Sequence, residues 1–252
     1  MDGGKRSEVC SRMNSIVGDY TPDEMMTVAA ARKFRNNATC FVGVGQPSVA
    51  ACLARAVHAP EIVLVYESGA IGPKPTKPPL SIADQELADT AEFIVSVPEI
   101  FNYWLQGGRI EIGFLGTGQI DRFANLNSTV IGKYQSPKVR MPGAGGAPPV
   151  TAGAREIVVI VRQTTKSFVA QLDFRTTARC EGLTTVITDL GILQTDSKTK
   201  ELILMTCYPG VTVDRVREAT AWPLKVADQV SETPAPTRVE LSALRRLCKL
   251  PA

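Results

Sequence analysis

An open α/β sheet, mostly parallel and with helices on both faces, is the fold this sequence predicts. Three observations carry that prediction. Four apolar runs, at 40–44, 62–66, 110–115 and 157–161, lack polar alternation, the pattern of strands covered on both faces. The first two runs are joined by a helical pattern from Pro47 to His58, so they form a β-α-β unit with parallel strands. Late in the chain, 186–193 and 201–207 flank a polar turn at 194–200, which reads as an antiparallel hairpin.

The elements follow in order. Residues 1–19 read as a flexible leader, and 20–252 as a single domain. Thr21-Pro22-Asp23-Glu24 has the form of a capping box, with Pro22 at the first helical position and Glu24 at the third. A helix to about Arg35 is predicted, with Met25, Val28 and Ala29 on one face. The first strand runs into Gly43-Val44-Gly45-Gln46-Pro47. A G-x-G between strand and helix is part of a dinucleotide fingerprint. Ser48 stands where the third glycine belongs, so a small-residue turn for helix packing or a ligand phosphate is preferred over NAD. The second strand delivers a lone carboxylate, Glu67, into Ser68-Gly69. Ends of such strands are where open α/β sheets place their chemistry. A solvated strand-end carboxylate is the plainer reading.

Residues 72–79 (GPKPTKPP) read as an irregular surface loop, and 93–97 as a short strand. Pro98 opens a helix with Ile100, Phe101, Trp104 and Leu105, closed by Gly107-Gly108. The strand at 110–115 empties into a long polar loop, GTGQIDRFANLNST. There Gln119, Asp121, Asn125 and Asn127 can hold the loop by bonding its backbone. Residues 142–149 (PGAGGAPP) are the most glycine-dense stretch. Their amides can form a nest for an oxyanion, or the segment can be a flexible connector. Residues 168–174 suggest a further strand, and Thr212 caps a short helix to about Thr220. Residues 228–237 read as a linker. Thr237-Arg238-Val239-Glu240 is a second capping box, opening a terminal helix with Leu241, Leu244 and Leu247.

Composition narrows the function classes. A chain of 252 residues can bury a core without metal or disulfides. The net charge of +3, without any block of like charges, argues against nucleic acid as a partner. Six cysteines occur without a C-x-x-C pair, beside one histidine, His58, so no zinc or other metal site is expected. Cys40, Cys52 and Cys207 lie in apolar surroundings and read as reduced thiols of a cytoplasmic protein. His58 lies near a helix end without Ser-His-Asp spacing, and reads as a packing or surface histidine rather than a general base. No apolar run is long enough to span a membrane, and the start lacks a signal-peptide core.

Taken together, the glycines after the first strand, YESG after the second, GTGQIDRFANLNST, PGAGGAPP, VITDLGIL and YPGVTVDRVREAT closely resemble class I coenzyme A transferases. The resemblance is to the β subunit in the glutaconate CoA-transferase-like branch, and it runs from about Tyr20 to about Leu247. It implies that Glu67, the glutamate of the E-S-G motif, is the nucleophile and carries a glutamyl-CoA thioester. It implies an oxyanion and CoA site at Gly145 and Gly146. It places Gly43, Gly45, Gln46, Ser68, Gly69 and Gln119 around the substrate pocket. Coenzyme A is then substrate and covalent intermediate, with no permanently bound cofactor. The implied partner is an α subunit, in an α2β2 heterotetramer, without which this chain is inactive. Lys74 and Lys77 could approach CoA phosphates, although a solvated loop is the simpler account. One departure is a short segment at 175–185 where relatives carry a longer glycine-rich stretch. Two other outcomes fit the same fold: an acyl-CoA hydrolase, ring-cleaving or decarboxylating enzyme, or a non-catalytic subunit. The presence of Glu67 favours the transferase.

Overall fold

The computed structural model describes residues 20–178 and 181–249; the predicted leader lies outside them. The helices are α1 (Pro22–Ala31), α2 (Gln46–Val57), α3 (Gln85–Asp89), α4 (Val97–Glu99, continuing as a π-helical turn Ile100–Leu105), α5 (Ala147–Gly153), α6 (Val213–Glu218) and α7 (Arg238–Lys249). The strands are β1 (Thr39–Val42), β2 (Val63–Val65), β3 (Ala70–Ile71), β4 (Phe93–Ile94), β5 (Ile112–Gly116), β6 (Gln119–Ile120), β7 (Leu126–Asn127), β8 (Val130–Lys133), β9 (Ser136–Arg140), β10 (Glu156–Ile160), β11 (Leu183–Ile187), β12 (Gly191–Thr195), β13 (Leu202–Cys207) and β14 (Lys225–Glu232).

Ten strands form one sheet in the order β14-β13-β12-β11-β10-β5-β1-β2-β3-β4. The centre, β2-β1-β5-β10-β11, is parallel, and both flanks turn antiparallel. The apolar runs therefore do what their lack of alternation requires. Cys40, Val42, Leu64 and Tyr66 enter one apolar core with Met25, Met26, Leu53 and Leu244. Their neighbours Phe41 and Val65 enter a second core on the other face, with Ile100, Leu105, Val150 and Val216. Strand side chains alternate between faces, so a continuous apolar run feeds two cores at once.

Both capping boxes form. Thr21 and Glu24 exchange bonds of 3.1 and 2.8 Å, and Thr237 and Glu240 exchange bonds of 3.2 and 2.7 Å, each cap being worth about 1 kcal/mol. The two capping acids also tie α1 to α7. Arg245 Nε meets Glu24 Oε1 at 2.6 Å, and Arg32 Nε meets Glu240 Oε1 at 2.7 Å. Burial alone would raise both carboxyls. The guanidinium and threonine bonds outweigh it and hold both below the ordinary glutamate value.

Several expectations need correction. The first helix ends at Ala31, not near Arg35, because Lys33 and Phe34 bond carbonyls three residues back and tighten the chain. The helix expected from Pro98 starts at Val97 and loosens into a π-helical turn. The strand at 93–97 is only two residues long. The loop at 72–79 is not simply superficial, since Pro73, Pro75 and Pro79 are buried while Lys74 is exposed. The polar loop after β5 contains a small antiparallel pair, β6 and β7. Residues 168–174 are not a strand. Phe168 makes one isolated bridge to Ile120, its carbonyl accepts from the Ala221 amide, and the Asp173 amide donates to the Gln119 side chain instead of a strand partner. The run 186–193 is two strands, because the Thr188 hydroxyl accepts from the Leu190 and Gly191 amides at 3.0 Å each and folds a turn between β11 and β12. Residues 225–232, partly read as linker, are the edge strand β14, parallel to β13.

Candidate active site

Glu67 lies where β2 turns back into β3. The Gly69 amide donates to the Tyr66 carbonyl at 3.0 Å, and the Tyr66 amide donates to the Ala70 carbonyl at 3.0 Å. Glu67, Ser68 and Gly69 are thus a three-residue hairpin loop with glycine in the left-handed position, φ +104°. Gly69 has a second duty. A Cβ there would stand 2.0 Å from the Val95 carbonyl oxygen, and the Val95 amide donates back to the Gly69 carbonyl at 3.0 Å. Only glycine satisfies both the turn and this close approach.

Tyr66, fully buried just before the nucleophile candidate, ties β2 to the first glycine turn. Its hydroxyl is 3.3 Å from Ser48 Oγ, and Ser48 Oγ donates to the Gly43 carbonyl at 2.9 Å. Ser48, which breaks the glycine fingerprint, is therefore a hydrogen-bond relay between strand ends. Burial pushes the Tyr66 phenol well above its ordinary value, and the Ser48 bond offsets part of that, so Tyr66 is a neutral strut. Gly43, Gly45 and Gln46 are half-buried on this same turn. In the parallel register Val42 faces Phe114 and Phe41 faces Val65. The Gly43 turn, Glu67 and the end of β5 at Gly116 accordingly share the carboxyl edge of the sheet.

The glycine-dense loop reaches Glu67 from the other side. A Cβ on Gly146 would lie 3.1 Å from Glu67 Oε2, 3.3 Å from its Cδ and 3.4 Å from Phe101 Cε1. One on Gly145 would lie 3.9 Å from Glu67 Oε2. The loop is held from outside. The Gly143 amide donates to the Ser128 carbonyl, and Ser128 Oγ donates to the Gly143 carbonyl, each at 2.8 Å. Ser128 is held in turn by Thr176, whose Oγ1 accepts from its amide at 2.9 Å. The short segment after 174 thus braces the loop beside Glu67 in its first residues. Among the described residues, nothing donates to the Glu67 carboxylate, and the Gly145 and Gly146 amides donate to nothing. A half-exposed carboxylate sits beside two unspent backbone donors.

Other predicted residues have different surroundings. Gln119 is buried, with Oε1 accepting from Asn127 Nδ2 at 2.7 Å and Nε2 donating to Asp173 at 3.0 Å. Asp121 accepts from the Phe123 and Asn125 amides, and Asn127 from those of Thr129 and Val130. Asn125 also bonds Asp121. This polar set holds its own loop. His58 Nε2 is 3.2 Å from the Phe34 carbonyl, a packing role. Cys40 and Cys52 are free and buried, and burial pushes both thiols up to about 12. A cavity of about 370 Å³, lined by Thr195, Asp196, Ile203, Met205 and Val226, opens on β12–β14 at the far edge of the sheet from Glu67. Among the described residues no three His, Cys, Asp or Glu side chains are grouped to hold a metal. None of their helices is long and apolar enough to cross a membrane. Sequence reasoning missed Phe101, because nothing local connects it to Glu67.

Comparison with known proteins bears on the family and the fold. The family model described as Coenzyme A transferase matches residues 23–219. The chain is 51% identical to the B-subunit of the 3-oxoadipate CoA-transferase of Pseudomonas knackmussii, over 90% of this chain and 93% of the relative. It is 31% identical to the B-subunit of the glutaconate CoA-transferase of Acidaminococcus fermentans, over 88% of this chain and 91% of the relative. The crystal structure of glutaconate coenzyme A-transferase from that organism superposes with a TM-score of 0.82 at 28% identity, covering 90% of this chain and 94% of that one. The decarboxylase AibA/AibB superposes with a TM-score of 0.80 at 25% identity, covering 89% and 93%.

Proposed function

Since this chain belongs to the class I coenzyme A transferase family, among its β subunits, we propose that Glu67 is the nucleophile that carries coenzyme A between an acyl-CoA and a free carboxylic acid. The observation that supports this most is the Glu67 carboxylate, half-exposed, without a donor among the described residues, and pressed against Gly146. Glu67 is not tied into the fold as Glu24 is, and the glycine loop against it sets it apart from a merely solvated acid.

The chemistry follows in balanced steps. A Glu67 oxygen attacks the thioester carbonyl and expels CoA thiolate, leaving a mixed anhydride. The thiolate then attacks the Glu67 carbonyl and expels the acyl group as its carboxylate, leaving a glutamyl-CoA thioester. The acceptor carboxylate attacks that thioester, and the steps run in reverse to give the new acyl-CoA. Each difficult exchange is divided into easier ones. Each tetrahedral intermediate carries an oxyanion, and the unspent amides of Gly145 and Gly146 are the donors we assign to it. Ser68 and Gly69 fix the turn, and the Gly43–Gln46 turn forms a wall of the acyl pocket. We place Gln119 behind the site, as support for the loop rather than as a substrate contact.

The substrate class we propose is a dicarboxylic acyl group of the 3-oxoadipate kind. The support is the 51% identity, over nearly the whole length, to a protein named for that substrate. The proposed partner is an α subunit in an α2β2 assembly, since both transferase relatives are named as B-subunits. The test is to incubate the complex with acyl-CoA and no acceptor, and to seek CoA on the Glu67 peptide by mass spectrometry. The adduct is expected in the native complex and absent in Glu67→Ala, with folding unchanged. Turnover that persists in Glu67→Ala would overturn the reading.

A further inference from the structure

A glutamyl-CoA thioester has a competitor for its acceptor. Water can attack the Glu67 carbonyl carbon and break the C–S bond, giving one proton to the departing thiolate and the other to solvent. That path returns the carboxylate, releases free CoA and wastes the thioester. A transferase must keep water from that carbon while admitting a carboxylate. The glycine loop cannot do this. Gly145 and Gly146 supply amides but no side chain to cover the carboxyl group.

One bulky apolar side chain reaches the same point. Phe101 Cε1 lies 3.4 Å from the Cβ position of Gly146, where Glu67 Oε2 lies at 3.1 Å. The ring edge and the carboxylate therefore converge on one glycine. Phe101 is half-buried and packs against the second core, as Val95, Trp104 and Ala147 also do. Its backbone is held in an unusual way. The Gln106 amide donates to the Phe101 carbonyl at 3.0 Å, and the Arg109 amide to the Trp104 carbonyl at 2.9 Å, each five residues on. Such π-helical turns re-aim side chains and recur at functional sites. The start of the helix is fixed by Ser96 and Glu99, whose carboxylate accepts from the Ser96 amide at 2.8 Å. Ser96 follows Val95, which is bonded to Gly69. The E-S-G loop, the π-helical turn and the glycine loop are thus linked through Gly69–Val95 and through Gly146, beside Glu67.

We propose that Phe101 is a positioning residue that shields the Glu67 carbonyl from water and so favours transfer over hydrolysis. This rests on the Glu67 mechanism above. The test uses the assembled complex and measures two products from one acyl-CoA: free CoA without acceptor, and new acyl-CoA with acceptor. In Phe101→Ala the ratio of hydrolysis to transfer should rise roughly tenfold, while Phe101→Leu, which keeps apolar bulk, should stay near the native ratio. If the alanine variant fails to assemble, Phe101→Val serves in its place, with a smaller rise in the same direction. Hydrolysis and transfer falling together, with an unchanged ratio, would reduce Phe101 to a packing residue and overturn the proposal. Absence of any Glu67 adduct in the native complex would instead overturn the mechanism beneath it, so the two failures are distinguishable.

Discussion

Glu24 and Glu67 are the same side chain in opposite surroundings. The Glu24 side chain is 3% exposed, and its oxygens are taken by Thr21 and by Arg245 from the far end of the chain. Glu67 lies at the carboxyl edge of the sheet, with glycines pressed against it and no hydrogen bond to its carboxylate among the described residues. The first carboxylate is stabilised as an anion by fixed partners and so has little left to react with. The second has no such partners among the described residues, as the nucleophile proposed above requires. The difference lies in how many of each acid's hydrogen bonds are already made within the fold.

The contrast is sharpest where the site depends on backbone geometry alone. Gly69→Ala would place a methyl group 2.0 Å from the Val95 carbonyl oxygen, on a residue with φ +104°. Both faults act at once, so the expected cost is about 3 kcal/mol or more. Thermal melting should fall by roughly 10 °C, and turnover should fall with it because the Glu67 turn must open. A melting point within experimental error of the native protein would show that the turn is soft, and the contrast would fail at its firmest point.

The Glu24 side of the comparison predicts the reverse pattern. Glu24→Gln keeps an oxygen to cap α1 but removes the charge that faces Arg245. Arg245 is partly solvated, so the loss should be moderate, about 2 kcal/mol. Melting should fall by several degrees while activity per folded molecule stays unchanged. Loss of activity without loss of stability would mean that α1 and α7 communicate with the sheet edge, and the division between the two acids would dissolve.

Much of this architecture is legible in the residues alone. The parallel centre is readable because strands buried on both faces cannot alternate, as 62–66 shows. Both capping boxes are readable because their chemistry spans four residues. The E-S-G turn is readable for the same local reason. β14 escapes such a reading because an edge strand needs no apolar run, and its residues are largely exposed. The turn at Thr188 is hidden inside an apolar stretch, since a single hydroxyl makes it. The approach of Phe101 and Gly146 to Glu67 joins three distant segments through packing. No local pattern encodes such a meeting.

The smallest effect in this series is the dependence of stability on pH. Glu24 and Glu240 are both held below the ordinary glutamate value: burial pushes upward, and the arginine and threonine bonds push down harder. The unfolded chain, with ordinary glutamates near about 4.3, then binds more protons than the folded one as the solution acidifies. Linkage fixes the sign. The two acids contribute their stability in full above the unfolded value, and lose it as pH falls through the lower folded values. Melting followed between about pH 6 and about pH 3 should decline more steeply in the native protein than in a variant carrying Glu24→Gln and Glu240→Gln. That variant should start lower and change less. Parallel curves would mean that other carboxylates set the acid response. The two α1–α7 pairs would then hold geometry without storing proton-linked stability, and Glu24 would resemble Glu67 more than its hydrogen bonds suggest.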